Sequence, residues 1–300
     1  CGMTCEGTSR ESDYNSQGIC DTVHYAILKR QWNRPKDFTE GLVYENDTQL
    51  VQDLYRRLDE SRRLTRSQAA RVEFLTTVEY IQRYLTPGAK ILDVGAGAGE
   101  YSLYFARKGY QVSALELSED NIAAFRAKLT DQDTIDLVQG NALDLSRYGD
   151  HSFDIVLLFG PLYHLHSQAD KLRCIQEAKR VCKLDGTLFF AFISNDMVIL
   201  TMFQEVPDYF VTGDYNKDTF RCDDFPFVFH TVDACRELLR EGGVKILHQV
   251  AADGVSELLQ DKINAMDEEN YAQYLRYHFY TCEKPEHLGA SNHLLFVGEP

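Results

Sequence analysis

The stretch that decides the reading of this chain is "ILDVGAGAGEYSLYFARKGYQVSALELSEDN", residues 91–121. An apolar strand ends on Asp93 and Val94, glycines follow at 95, 97 and 99, a helical pattern runs on from Glu100, and a second apolar strand closes on Glu116. Glycines at every second position let the backbone turn sharply and approach a ligand with no Cβ in the way. The helix after them points its free N–H groups at the same spot, so the turn suits a polar or anionic group. Glu116 is placed to accept hydrogen bonds from a ribose diol. The alternative is that these glycines only tighten a strand–helix turn and that Glu116 partners the N-cap of the following helix.

A dinucleotide site wants G-x-G-x-x-G, which would put glycine at position 100. Glu100 stands there instead, and a carboxylate beside a pyrophosphate is electrostatically wrong at a helix N-terminus. This disfavours a nicotinamide-dependent oxidoreductase. A phosphate-free cofactor with an amino-acid end and a nucleoside end fits better. Its ammonium would favour Asp93 and nearby carbonyls.

Outward from the turn, strand and helix alternate. Strands are expected at 90–94, 111–116, 135–140, 153–159 and 187–193, and helices at 100–108, 120–129 and 168–181, with Ser118 and Ser167 as N-caps. The runs "FDIVLLF" and "TLFFAFI" are apolar throughout, as strands buried on both faces are, which indicates a parallel sheet covered by helices. Upstream, leucines at 50, 54 and 58 and then Val72, Leu75, Val78, Ile81 and Leu85 mark a helical lead-in over 44–88, stopped by "TPGAK". Residues 1–43 are polar with little periodicity and form an N-terminal extension of uncertain order.

The core alternation covers 89–194. It breaks over 195–230, where eight aromatics fall between Phe203 and Phe229 and the net charge from Glu205 to Asp224 is −4. This segment reads as an insertion over the C-terminal edge of the sheet. It is either a lid for an apolar or planar substrate or a subdomain filling its own small core. Residues 231–300 complete the sheet, with a helix at 232–241 and strands at 245–250 and 293–297.

Four segments, "ILDVGAGAGEYSLYFARKGYQVSALELS", "VQGNALDL", "FDIVLLFGPLYHL" and "LDGTLFFAFI", resemble the successive motifs of class I S-adenosylmethionine-dependent methyltransferases in order and spacing. They cover about a third of the chain. The resemblance implies a Rossmann-like, doubly wound, mostly parallel seven-stranded α/β sheet with helices on both faces. It also implies S-adenosylmethionine as cofactor and S-adenosylhomocysteine as product. By the same resemblance Asp93, Gly95, Ala96, Gly97 and Gly99, with Tyr101, would surround the methionine end. Glu116 would hold the ribose hydroxyls, with Leu117 on the adenine face and Asn141 and Ala142 at the adenine edge, and Asn121 is a further cofactor-binding candidate. Many members carry Asp where this chain has Asn141, whose amide oxygen can still accept from the exocyclic amine; Asn141 could also be a turn residue. Phe159 and Gly160 would mark where donor and acceptor meet.

Methyl transfer from a sulfonium asks chiefly for alignment and exclusion of water. A base is needed only for a protonated nucleophile. "GPLYHLH" offers Tyr163, His164 and His166, and the aromatic run offers His230. His164, with an ordinary imidazole pKa of about 6.5, is the candidate base, unless it caps or packs at the following helix. Tyr163 and His230 are the further catalytic candidates.

The net charge of −15 counts against gripping a nucleic acid backbone. Six arginines between Arg56 and Arg71 read as the solvated face of a helix. Adenine amine methylases carry an Asn/Asp-Pro-Pro-aromatic tetrad, and Gly160-Pro161-Leu162-Tyr163 lacks its side-chain acceptor. A small-molecule acceptor follows as the expectation. An RNA or protein methyltransferase, or a non-catalytic cofactor-binding module, remain the alternatives. The eight cysteines include no CxxC pair and no zinc-ligand spacing, so no metal is expected and reduced thiols in a cytoplasmic protein are. No apolar run is long enough to span a membrane, and the first eighteen residues lack the apolar stretch of a secretory signal.

Overall fold

A computed structural model describes residues 46–58 and 60–300, so the expected extension over 1–43 lies outside the described residues. The strands are β1 (Lys90–Val94), β2 (Gln111–Glu116), β3 (Ile135–Gln139), β4 (Phe153–Leu158), β5 (Cys182–Ser194), β6 (Phe229–His230), β7 (Lys245–Ala251) and β8 (His293–Glu299). Seven form one sheet in the order β3-β2-β1-β4-β5-β8-β7, and the two-residue β6 pairs with the end of β5. Strands β3 to β5 run parallel, whereas β8 is antiparallel to both neighbours. The expected Rossmann-like α/β sheet is therefore present.

Parallel strands are buried on both faces, and successive side chains alternate between the two cores. Leu92, Val94, Val156, Leu158, Leu188 and Phe190 pack on one side with α5 (Gln168–Val181) and α8 (Val232–Glu241), through Ile175, Ala178 and Leu239. Ile91, Ile155, Leu157 and Phe189 pack on the other with α2 (Gln68–Gln82) and α3 (Glu100–Ala106), through Val78, Ile81 and Phe105. The two expected N-caps form: Ser118 accepts from the amide of Asn121 at the start of α4 (Glu119–Lys128), and Ser167 from that of Asp170.

Three features depart from the expectation. The arginine-rich stretch is not a helix face: its described residues from 56 to 67 are turns linking α1 (Asp47–Tyr55) to α2. Lys128 pins this connection with its ammonium on the Ser61 carbonyl at 2.7 Å, the Ala98 carbonyl at 3.1 Å and Glu100 at 2.5 Å. Second, β7 and β8 are separated by α9 (Gln260–Asn264), α10 (Glu268–Thr281) and α11 (Pro285–Leu288), of which α9 and α10 pack on α2 and α11 on β7. Asn264 accepts from the amide of Ala69, Tyr271 donates to the Gln68 carbonyl, and His278 pairs with Thr76. Third, the insertion holds α6 (Asn195–Glu205) and α7 (Tyr209–Thr212) and pairs its aromatics with one another, Phe203 with Phe210 at 4.9 Å and Tyr209 with Tyr215 at 5.7 Å. Among the described residues no helix is long and apolar enough to cross a membrane. Cys174, Cys182, Cys222, Cys235 and Cys282 are free and buried.

Candidate active site

A cavity of about 1440 Å³, open solvent at its mouth included, lies at the C-terminal ends of β1, β2 and β4 and beneath α1. In open α/β sheets this edge is where ligands bind. The turn after β1 forms its floor. Gly95, Gly97 and Gly99 all take positive φ, at 80°, 54° and 84°, but they do different work. A Cβ on Gly95 would come within 2.8 Å of Pro161 Cδ, and one on Gly99 within 2.4 Å of the Phe125 ring. A Cβ on Gly97 would meet nothing within 4 Å. Gly97 thus opens onto the cavity, and Gly95 lines it beside the loop after β4. Gly99 instead seats α3 against α4 and does not line the cavity, so its place among the cofactor contacts is not what the structure shows.

Asp93 is 1% exposed. Its Oδ2 accepts from the Ser102 hydroxyl at 2.7 Å, while Oδ1 is buried with no hydrogen-bond partner among the described residues. Burial raises its pKa to about 7. A buried unpartnered carboxylate oxygen on a cavity wall is a costly arrangement that an ammonium group would relieve. Glu116 is also buried: Oε2 accepts from the Gly97 amide at 2.7 Å, and Oε1 from the Ser118 amide at 2.8 Å and Asn121 Nδ2 at 3.3 Å. Burial raises its pKa despite these donors. Asn121 therefore orients Glu116, and the N-cap alternative for Glu116 also holds, because the carboxylate bonds the N-cap amide and faces the cavity at once.

Ala96, Leu117, Ala142, Phe159 and Gly160 line the same cavity. Asn141 lines it too, but its side chain is engaged: Oδ1 accepts from the Leu143 amide at 2.9 Å and Nδ2 donates to Thr48 on α1 at 3.1 Å. Tyr101 stacks on Phe74 and meets Phe159 edge-on at 5.0 Å.

The catalytic candidates fare differently. Tyr163 lines the cavity, and burial raises its phenol well above the ordinary range. His164 lines it as well, with Nε2 2.8 Å from the hydroxyl of Tyr55 on α1. Burial, helped by His166, lowers its pKa to about 3, so the proton-accepting role expected near neutral pH does not fit this imidazole. His166 is a tie: Nδ1 lies 2.8 Å from Asp47 on α1, and Nε2 3.0 Å from the Asp224 carbonyl of the insertion. His230 does not reach the cavity. It is buried against Phe192 at 5.1 Å, its pKa lowered to about 3 chiefly by burial. The insertion lends no residue of 195–230 to the cavity wall either, and Phe227 only backs Tyr163 and His164. Among the described residues the cavity is covered by α1 and not by the aromatic segment.

Sequence reasoning missed the far end of the cavity, lined by Arg63, Glu73 and His293. Arg63 donates to both oxygens of Glu73, at 2.6 and 3.1 Å, and lies 2.9 Å from Glu60. His293 Nδ1 sits 2.7 Å from Asp253 and 3.4 Å from Glu73. Although burial opposes its charge, Glu73 and Asp253 raise the imidazole pKa to about 9. Arg63 falls in the arginine run set aside as a solvated face, and no local pattern pointed to the other three.

This sheet order, glycine turn and acid-lined cavity are those that the resemblance to class I S-adenosylmethionine-dependent methyltransferases leads one to expect. Residues 92–190 match the family described as "Methyltransferase domain". The chain is similar to a candidate methyltransferase of Geobacillus sp. (strain WCH70), 29% identical over 206 residues, 59% of this chain and 82% of that one. It is also similar to a ubiquinone biosynthesis O-methyltransferase of Xanthomonas campestris pv. campestris (strain B100), 33% identical over 38% of this chain and 46% of that one. Its fold is similar to that of magnesium protoporphyrin IX methyltransferase from Synechocystis PCC 6803 with bound S-adenosylhomocysteine, at TM-score 0.51 and 15% identity, covering 85% and 99% of the two chains. The orphaned Asp93 oxygen and the open face of Gly97 would suit the ammonium and carboxylate of S-adenosylmethionine, the cofactor the resemblance implies.

Proposed function

We propose that this domain transfers a methyl group from S-adenosylmethionine to a small-molecule acceptor held in the same cavity, with Asp93, Gly95, Ala96, Gly97, Glu116, Leu117, Asn121, Asn141 and Ala142 holding the cofactor. The observation that carries this reading is the cavity itself. It runs from Asp93 and Glu116 past Tyr163 to Arg63 and His293 under a cover made by α1. Beyond the residues assigned to the cofactor its wall carries Arg63, Glu73 and His293, which supports a second ligand beside the cofactor. When bound, the cofactor supplies an already activated methyl group. The protein's part is to orient and to exclude water. Asp93 holds the ammonium, Glu116 the ribose hydroxyls, and the Asn141 oxygen, through its second lone pair, the adenine amine. Phe159, Gly160 and Tyr163 flank the junction between donor and acceptor. No proton reservoir is needed at His164, whose ring ties Tyr55 of α1 to the loop after β4. The likeness to a ubiquinone biosynthesis enzyme supports a small acceptor.

The test is methyl transfer from radiolabelled cofactor into fractions of a cell extract. Label in the low-molecular-weight fraction, lost in Glu116→Ala, is expected. Label confined to RNA or protein would overturn the acceptor class.

A further inference from the structure

The residues proposed to hold the cofactor account for part of the cavity wall. Outside them the wall carries Glu60 and Arg63 before α2, Glu73 within it and His293 at the start of β8, with Asp253, after β7, bonded to His293. Glu73, Asp253 and His293 bring their ligating atoms within 4.8 Å of one another. A metal ion is nonetheless disfavoured there, because Arg63 occupies both Glu73 oxygens and the His293 nitrogen between the carboxylates carries a proton.

What the cluster leaves available is more specific. Every acid at this end is already partnered: Glu60 and Glu73 by Arg63, and Asp253 by the Ser291 hydroxyl at 2.5 Å and the His293 amide and ring. An entering cation finds no unpaired carboxylate. His293 uses only Nδ1, and its Nε2 has no partner among the described residues. Its side chain keeps 21% of its surface, and the residue lines the cavity. The Tyr163 hydroxyl, on the same cavity wall, is a second donor with no hydrogen-bond partner among the described residues, and it senses Arg63, Glu60, Glu73 and Glu116.

We propose that His293, braced by Asp253, recognises the acceptor, and that the acceptor carries an ionised oxygen, a carboxylate or a phenolate, received by the His293 Nε2–H. This rests on the reading that the acceptor shares the cofactor's cavity. The charged groups facing His293 are Glu73 from α2, Arg63 from the connection before it, and Asp253 and Glu257 from the segment after β7. The two nearest carboxylates keep the ring cationic at neutral pH. The balance of the reaction is simple: the ionised oxygen forms the new O–C bond while the methyl–sulfur bond breaks, its electron pair staying on sulfur. The products are a neutral ester or ether and a neutral thioether. No proton is removed, in keeping with a cavity whose other imidazole, His164, is too weak a base to take one.

The experiment is calorimetric titration of the full chain. S-adenosylhomocysteine should bind wild type and His293→Gln within about twofold of each other, since His293 is not among the residues proposed to hold the cofactor. On the product-loaded protein, benzoate, phenylacetate and hexanoate serve as probes, with benzylamine as the cationic counterpart. At least one acid should bind saturably, weaken about tenfold in His293→Gln, and lose affinity as pH rises through about 9; benzylamine should not bind. If His293→Gln fails to fold, Asp253→Asn keeps the imidazole but removes its brace, and the pH midpoint for acid binding should fall by about one unit. Binding of benzylamine in place of the acids, binding of none of the probes, an unchanged affinity in His293→Gln or an unmoved midpoint in Asp253→Asn would each overturn the proposal. Failure of S-adenosylhomocysteine to bind wild type would instead bring down the cavity reading on which it stands.

Discussion

The amide of Gly97 donates to Oε2 of Glu116 at 2.7 Å. The turn after β1 is thereby locked to the end of β2 by the carboxylate proposed to hold the ribose, so one side chain shapes the floor and contacts the ligand. Replacing Glu116 by Ala should weaken S-adenosylhomocysteine binding by about 1–3 kcal/mol, the cost of removing a charged hydrogen-bond partner. Unchanged affinity by calorimetry would refute the assignment.

Asp93 gives a pH prediction with a defined sign. Its folded pKa of about 7 lies above the ordinary value of 3.8, so the ligand-free protein holds this proton at mildly acidic pH. A bound ammonium favours the ionised form, so binding should release a proton below about pH 7 and weaken as pH falls from 7 to 5.5, up to about tenfold per unit. Without ligand, the contribution of Asp93 to stability is fully present below its unfolded pKa and is lost as pH rises through 7. Titrations in buffers of different ionisation enthalpy measure the released proton; none released, with a flat affinity, would contradict the ammonium contact.

The two glycines predict a contrast. Gly99→Ala places a Cβ 2.4 Å from the Phe125 ring at φ +84°, and overpacking of this kind costs about 1–3 kcal/mol beyond the backbone strain. Gly97→Ala meets no neighbour and should cost only about 1 kcal/mol of stability, yet it intrudes on the cavity and should abolish tight cofactor binding. Melting curves and calorimetry on the same two proteins separate the effects.

His164 should behave as a structural group. With its pKa lowered to about 3, it contributes no inflection to the rate profile between pH 6 and 9. His164→Ala should lower the melting temperature by about 4–8 °C, as expected for loss of a buried ring. His164→Gln should keep turnover within about threefold. A turnover collapse in His164→Gln with an unchanged melting curve would restore it as a catalytic residue.

The parts legible in the sequence were those whose cause is local. Strands apolar throughout, glycines that alone accept the turn's φ, and serine caps at 118 and 167 carry their signal within a few residues, and the core elements fall within a residue or two of the positions read from them, except that β5 begins at Cys182 and not at 187. The helix α10 was missed because His278 and Thr281 are its only buried residues, which leaves no apolar stripe to read. The aromatic insertion left two readings open because aromatics that pair with one another, as Tyr209 and Tyr215 do, look the same in sequence as aromatics awaiting a ligand.

The sequence by itself determined the α/β core that matches a methyltransferase domain and the acids and glycines proposed to hold the cofactor, since both are written in contiguous segments. Only the tertiary structure decided which element covers the cavity, that His164 is too buried to hold a proton, and that Arg63, Glu73, Asp253 and His293 meet at its far end. Burial and long-range charge pairing arise from segments brought together by the fold, and neither leaves a mark on the residues next in the chain.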